Sequence, residues 1–135
     1  MIVRRTPREI ELIRSSCQIV FLVQQALEEA IGPSISTFEL DALAEKTIRA
    51  HGAIPAFKGY RGFPASICAS INAATVHGIP DTTCLREGDI ISVDVGVLLD
   101  EYYGDGAFTI GIGQIDDELQ HLLDTTRACL DLGIQ

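Results

Sequence analysis

An α+β fold is predicted for this chain, and three observations predict it. Apolar residues recur at helical spacing in two segments near the N-terminal end and in one near the C-terminal end. Between them, Ile90–Leu98 and Glu101–Gly111 read as strands. A short turn near Leu99–Asp100 joins the two strands into an antiparallel hairpin. The expected architecture is an antiparallel sheet covered by two N-terminal helices and a C-terminal helix. At 135 residues the chain is one domain in size and long enough to bury a core.

Thr6-Pro7-Arg8-Glu9 opens the first helix: Thr6 caps, Pro7 suits the first turn, and Glu9 completes a capping box. Ile10, Ile13, Cys17, Val20, Phe21 and Leu27 form its expected apolar stripe. Leu12, Ile19, Leu22 and Val23 widen that stripe and predict burial on more than one side. Gly32-Pro33 stops the helix. Ser36-Thr37-Phe38-Glu39 is a second capping box, with Phe38, Leu40, Leu43, Ala44, Thr47 and Ile48 as the buried side and Gly52 past the end. His51 sits where the helix dipole favours a cation and reads as structural. Ala53–Pro64 is a loop rich in Gly, Pro and aromatics, and Ala65–Ile71 alternates as a strand. Asn72–Pro80 is irregular and carries His77, while Gly88 enters the hairpin in a shape other residues resist. From Ile115 the pattern is helical again through Leu119, Leu122, Leu123, Thr126, Leu130 and Ile134, with His121 on the surface side.

The formal net charge of -9 argues against a nucleic-acid partner held on a basic surface. No apolar h-region follows the charged start MIVRRTPREI, and the apolar run Ile19–Val23 is far too short to span a bilayer, so no membrane partner is expected. The four cysteines, Cys17, Cys68, Cys84 and Cys129, show neither CxxC nor Cys/His zinc spacing and read as reduced thiols of a cytoplasmic protein. Cys68 has two readings, a pocket thiol or a small buried residue on a strand.

The hairpin carries Asp94 and Asp105, both flanked by residues expected to be buried, which is a costly place for charge. Pairing Leu98 with Glu101 sets Asp94 directly opposite Asp105 on one face, with Cβ atoms roughly 5 Å apart. Ile91, Val93, Val95 and Val97 then occupy the other face, against Phe108, Gly106, Gly104 and Tyr102. Two like charges so placed are tolerated when one holds a proton or a cation lies between them. Hard divalent cations take oxygen ligands, so half of a metal site is one reading. The other is structural: Asp94 ends a strand and Asp105 belongs to a Gly-Asp-Gly turn.

The order and spacing of Ser70-Ile71-Asn72, Val76-His77-Gly78-Ile79-Pro80, Gly88-Asp89-Ile90, Asp94 and Gly104-Asp105 resemble those of type I methionine aminopeptidases. Prolidases and creatinase-like proteins share the paired Asp, but the HGIP run favours the methionine aminopeptidase branch. The likeness extends back through Gly59-Tyr60-Arg61-Gly62-Phe63-Pro64 and both N-terminal helices, and so covers essentially the whole chain. It implies the N-terminal half of a pita-bread (creatinase/aminopeptidase) fold, with residues 1–135 as a single partial domain. It also implies removal of N-terminal methionine from nascent proteins with two divalent metal ions per complete site, Co, Mn, Fe or Zn. Asp94 would bind one metal and Asp105 would bridge both. His77 would be the catalytic histidine that contacts substrate. Tyr60 and Phe63 would wall the pocket for the methionine side chain, with Cys68 beside it; apart from the resemblance, the two aromatics read equally as cover for the core edge. The family's other ligands, one His and two Glu, come from the second half. The chain alone is therefore expected to be inactive, and a second-half chain or self-association is the expected protein partner. The alternative is a non-enzymatic peptide- or protein-binding module on half of the same fold. Two departures from the family pattern stand out: Arg61 in place of a His that some members carry, and Gly106 where Thr or Ser is usual, which would loosen the hold on Asp105.

Overall fold

The computed structural model describes residues 4–135, so the first three residues of the charged N-terminal stretch lie outside it. Helix α1 spans Pro7–Ala30, and its capping box forms as read: Thr6 Oγ1 accepts from the Glu9 N–H while Glu9 accepts from the Thr6 N–H. Helix α2 spans Thr37–Ala50 with the same device at Ser36 and Glu39. Its C-terminal end is closed by His51, whose Nδ1 lies 2.9 Å from the Thr47 carbonyl oxygen. Strands β1 (Ile54–Pro55), β2 (Ile67–Ile71), β3 (Ile90–Leu99) and β4 (Tyr102–Gly111) follow, then α3 (Asp117–Ile134).

All strand pairings are antiparallel, and β3 is central. β4 runs along the whole of one β3 edge, while β2 and the short β1 share the other. The hairpin register differs from the expected one by two residues. Leu99 pairs with Tyr102, Asp94 with Ala107, and Gly96 with Asp105. The reason lies in the turn, which consists of Asp100 and Glu101 alone, both left-handed with φ of 48° and 69°. Two-residue turns of that hand match strand twist but usually announce themselves with Asn-Gly or Asp-Gly. A shift of two preserves the faces, because side chains alternate with a period of two.

Ile91, Val93, Val95 and Val97 are fully buried beneath the helices, together with Ile67 of β2, Val23 and Leu27 of α1, and Leu40 and Ile48 of α2. α1 lies on β4 so closely that a Cβ at Gly104 would come within 2.6–2.8 Å of the Ser16 and Cys17 backbone. Ser16 is buried there and donates its hydroxyl to the Tyr102 carbonyl at 2.9 Å. The buried side of α1 is consequently Ser16, Ile19, Val20, Val23 and Leu27. Ile10, Cys17, Phe21 and Leu22 are exposed, so the helix is buried on one side only. Phe38 is exposed as well, contrary to expectation. Leu27→Ala should cost about 2–5 kcal/mol of stability, measured by urea unfolding, because the site cannot fully collapse around the void.

α3 is capped by Asp116, which accepts from the Leu119 N–H at 2.8 Å. This helix lies against the sheet's β4 edge and has no buried residue of its own.

Candidate functional site

The face of the sheet turned away from α1 and α2 carries Ser92, Asp94 and Gly96 of β3, Asp105, Ala107 and Thr109 of β4, and Cys68 and Ser70 of β2. The Ser92 and Thr109 hydroxyls lie 2.8 Å apart across it. Asp94 has Cys68 as its partner on one side and Ala107 on the other, while Asp105 is opposite Gly96. The two carboxylates are therefore diagonal neighbours, and the expectation that they face each other directly is corrected by the register. Diagonal positions are still within electrostatic reach.

Asp94 is only partly exposed, and its Oδ1 is buried with no hydrogen-bond partner. Its carboxyl is pushed above the usual carboxylate range, first by desolvation and then by the Asp105 charge, with His77 and the Val95 backbone N–H acting against the rise. The neighbouring Cys68 thiol is buried and pushed up to about 11 by desolvation and the two carboxylates. It is a protonated, inert wall at neutral pH, which keeps Cys68 beside the carboxylates without making it a thiolate ligand.

His77 stands exposed in the left-handed region with φ of 58°, a conformation that is sparse for non-glycine residues and often found at functional positions. The segment around it is fastened at two places. Gly78 donates its N–H to Ser70 Oγ at 3.0 Å and accepts the Ala69 N–H at 2.9 Å. A Cβ at Gly78 would collide with the Ala69 carbonyl, so only glycine permits that approach. Further on, Thr37 at the start of α2 donates its hydroxyl to the Asp81 carbonyl at 3.0 Å and accepts the Asp81 N–H at 2.9 Å.

Cys68, His77, Asp94 and Asp105 are thus brought together. Tyr60 and Phe63 lie at a short 3-10 turn, Tyr60–Gly62, in the adjoining loop. Tyr60 is 64% exposed and Phe63 half-buried. Arg61 has its guanidinium 5.4 Å from the Tyr60 ring centroid, a cation–π contact. Gly106 faces α1, where a Cβ would meet Val20 and Gln24 at 3.0 Å, so a larger residue there would press on the helix and not on Asp105.

Phe57 belongs to this face and was missed from the sequence. Its ring occupies the space above Gly96 that a Cβ would need, directly across from Asp105. The Ala56 N–H fixes the loop there by donating to the Gly96 carbonyl at 2.9 Å. The signal that could have found it is Gly96, a glycine inside an otherwise β-branched strand, which marks close approach of another group.

The donor chemistry suits a hard divalent cation: two carboxylates, one with a buried oxygen that has no partner. Among the described residues no group of three or more His, Cys, Asp or Glu is placed to hold a metal ion, so these residues hold no complete coordination shell.

The profile of metallopeptidase family M24 matches residues 11–135. The chain is 48% identical over 135 residues to methionine aminopeptidase 1 of Bacillus subtilis, covering 100% of this chain and 54% of that protein. It is 42% identical over 132 residues to methionine aminopeptidase 1 of Mycobacterium tuberculosis, covering 97% of this chain and 50% of that protein. The crystal structure of methionine aminopeptidase from Thermotoga maritima superposes with a TM-score of 0.94 at 34% identity, over 97% of this chain and 53% of that one. The prolidase of Pyrococcus furiosus shares the fold at a TM-score of 0.77 over 87% of this chain and 33% of that one. The chain spans about half the length of the curated relatives it matches. No helix among the described residues is long and apolar enough to cross a membrane. It follows that this chain belongs to metallopeptidase family M24, a membership that implies divalent metal ions.

Proposed function

We propose that residues 1–135 form the first half of a methionine aminopeptidase domain, which removes N-terminal methionine from nascent proteins in the cytoplasm. The observation that carries the reading is the buried, partnerless Asp94 oxygen beside Asp105 and His77. In this reading Asp94 and Asp105 are ligands of a two-metal site that takes Co, Mn, Fe or Zn. Divalent ions held there acidify water and offset negative charge that develops on a scissile carbonyl. His77 contacts the substrate and directs a proton or hydrogen bond at its carbonyl. Phe57, Tyr60 and Phe63 form an apolar wall for the methionine side chain, and Cys68 closes the floor as a neutral thiol. Two carboxylates alone hold a divalent ion weakly and leave it largely hydrated. The remaining ligands come from the other half of the domain, in the same or a separate chain.

The test is release of methionine from Met-Ala-Ser with added Mn or Co. The 135-residue chain alone should be inactive. Mixing it with the second half of a relative should restore metal-dependent release, and Asp105→Asn should reduce that release by at least about a hundredfold. Failure to restore activity with a folded second half favours the binding module instead. Activity of the chain alone would show that it needs no second half.

A further inference from the structure

The loop from Phe57 to Ser66 is tied at both ends to one helix. Glu45 of α2 accepts from Lys58 Nζ at 2.6 Å and from Ser66 Oγ at 3.2 Å, both at Oε2. Its Oε1 accepts from Arg49 Nε at 2.8 Å. One turn earlier, Asp41 Oδ1 accepts the backbone N–H groups of Ser66 at 2.7 Å and Ile67 at 3.0 Å. Asp41, Glu45 and Arg49 are spaced by four and so lie on one face of the helix. Asp41 and Ser66 are both buried. Charge-assisted bonds in such a place are strong, and leaving one partner alone is costly.

An isolated surface ion pair would fix little. Here the Glu45 carboxylate gathers an ammonium, a guanidinium and a hydroxyl, and Lys58 followed by Arg49 holds its carboxyl down to about 2. Between its tied ends the loop is internally bonded. The Gly59 N–H donates to the Phe63 carbonyl at 2.8 Å, that of Tyr60 to Phe57 at 3.0 Å, and that of Phe63 to Tyr60 at 2.9 Å. These bonds tie the loop to itself, and it carries Phe57, Tyr60 and Phe63. Ser66 and Ile67 lead into β2, where Cys68 pairs with Asp94.

We propose that Asp41 and Glu45 are positioning residues: a carboxylate clamp on α2 sets the distance between the aromatic wall of the loop and the Asp94–Asp105 pair, and thereby which N-terminal side chain the pocket accepts. The substrate part of this statement rests on the methionine aminopeptidase reading. Neither residue touches substrate. Both act through the loop they hold.

The experiment uses the 135-residue chain in two measurements. The first is amide hydrogen exchange at Gly59, Tyr60, Gly62 and Phe63, with the β3–β4 amides as reference. The second is an NMR titration with Met-Ala-Ser and Ala-Ala-Ser. Glu45→Gln and Lys58→Met should each raise exchange in the loop by roughly tenfold while the hairpin amides stay unchanged. The preference for Met-Ala-Ser should fall by about threefold or more in both variants. Lys58→Arg should restore both readouts, which a general loss of stability would not do. Lys58 is exposed, so its variants fold even where an Asp41→Asn chain does not. Unchanged loop exchange overturns the clamp. Faster exchange with an unchanged peptide preference overturns its role in recognition. Absence of any methionine preference in the unsubstituted chain overturns the loop's role in recognition, while release of methionine after mixing with the second half tests the substrate reading separately, and the exchange data show whether the clamp itself stands.

Discussion

Asp94→Asn should raise the stability of the metal-free chain at pH 7 by about 1 kcal/mol and abolish stabilisation by added Mn. The sign follows from the direction of the shift. The folded carboxyl sits above its ordinary value of 3.8, chiefly because it is desolvated and next because Asp105 is near. A raised carboxyl pKa means that the folded state resists ionisation. The penalty is absent below pH 3.8 and grows as pH rises through the folded value, so metal-free stability falls over that window. Asparagine carries no charge to desolvate and no repulsion from Asp105, and its advantage should widen between pH 4 and pH 7. A divalent cation reverses the ranking, because it supplies the counter-charge that only the aspartate can use. Thermal melts with and without Mn check both halves of the claim. A metal-free Asn variant that melts lower than the parent would mean that the carboxylate is stabilised as an anion by the protein itself.

Gly78→Ala should be the most disruptive single-atom addition near the site. Its new Cβ would collide with the Ala69 carbonyl and lie 2.9 Å from Ser70 Cα, so the segment must lift away from β2. Two bonds go with it, Gly78 N–H to Ser70 Oγ and Ala69 N–H to the Gly78 carbonyl. The loss should be roughly 2–4 kcal/mol, read from urea unfolding. At the adjacent position His77→Gly should be close to neutral in stability, since it relieves a left-handed conformation while loosening the unfolded chain. On the proposed methionine aminopeptidase reading, both changes should also cost activity once the second half is supplied. Only the first should also cost stability, which separates the histidine's chemistry from its placement. A Gly78→Ala chain as stable as the parent would show that the His77 segment is not seated on β2.

Much of this was legible because it is local. Both capping boxes were readable, as a cap depends on residues three apart. The hairpin and the shared face of Asp94 and Asp105 were readable because strand alternation survives a register shift of two. The register itself was not, since Asp100-Glu101 adopts a left-handed turn without the Gly or Asn that normally signals one. The buried phase of α1 was also hidden. Phe21 has the right spacing but points outward, while Ser16 is buried because Gly104, far along the chain, lets the helix close onto β4 and Tyr102 accepts the hydroxyl. Phe57 has no local signature for the same kind of reason, as its place is defined by Gly96 in a strand that follows much later.

The bare flanks of α3 have a thermodynamic consequence. With no buried residue along Asp117–Ile134, little tertiary packing supports its backbone bonds, and an unsupported helix of 18 residues is marginal in water. Its melting should therefore be gradual and detached from the cooperative collapse of the sheet and its two covering helices. Far-ultraviolet ellipticity should slope through a broad low-temperature phase before the sharp transition of the remaining chain, so a two-state fit to the whole signal would understate the cooperativity of the part that carries Asp94 and Asp105.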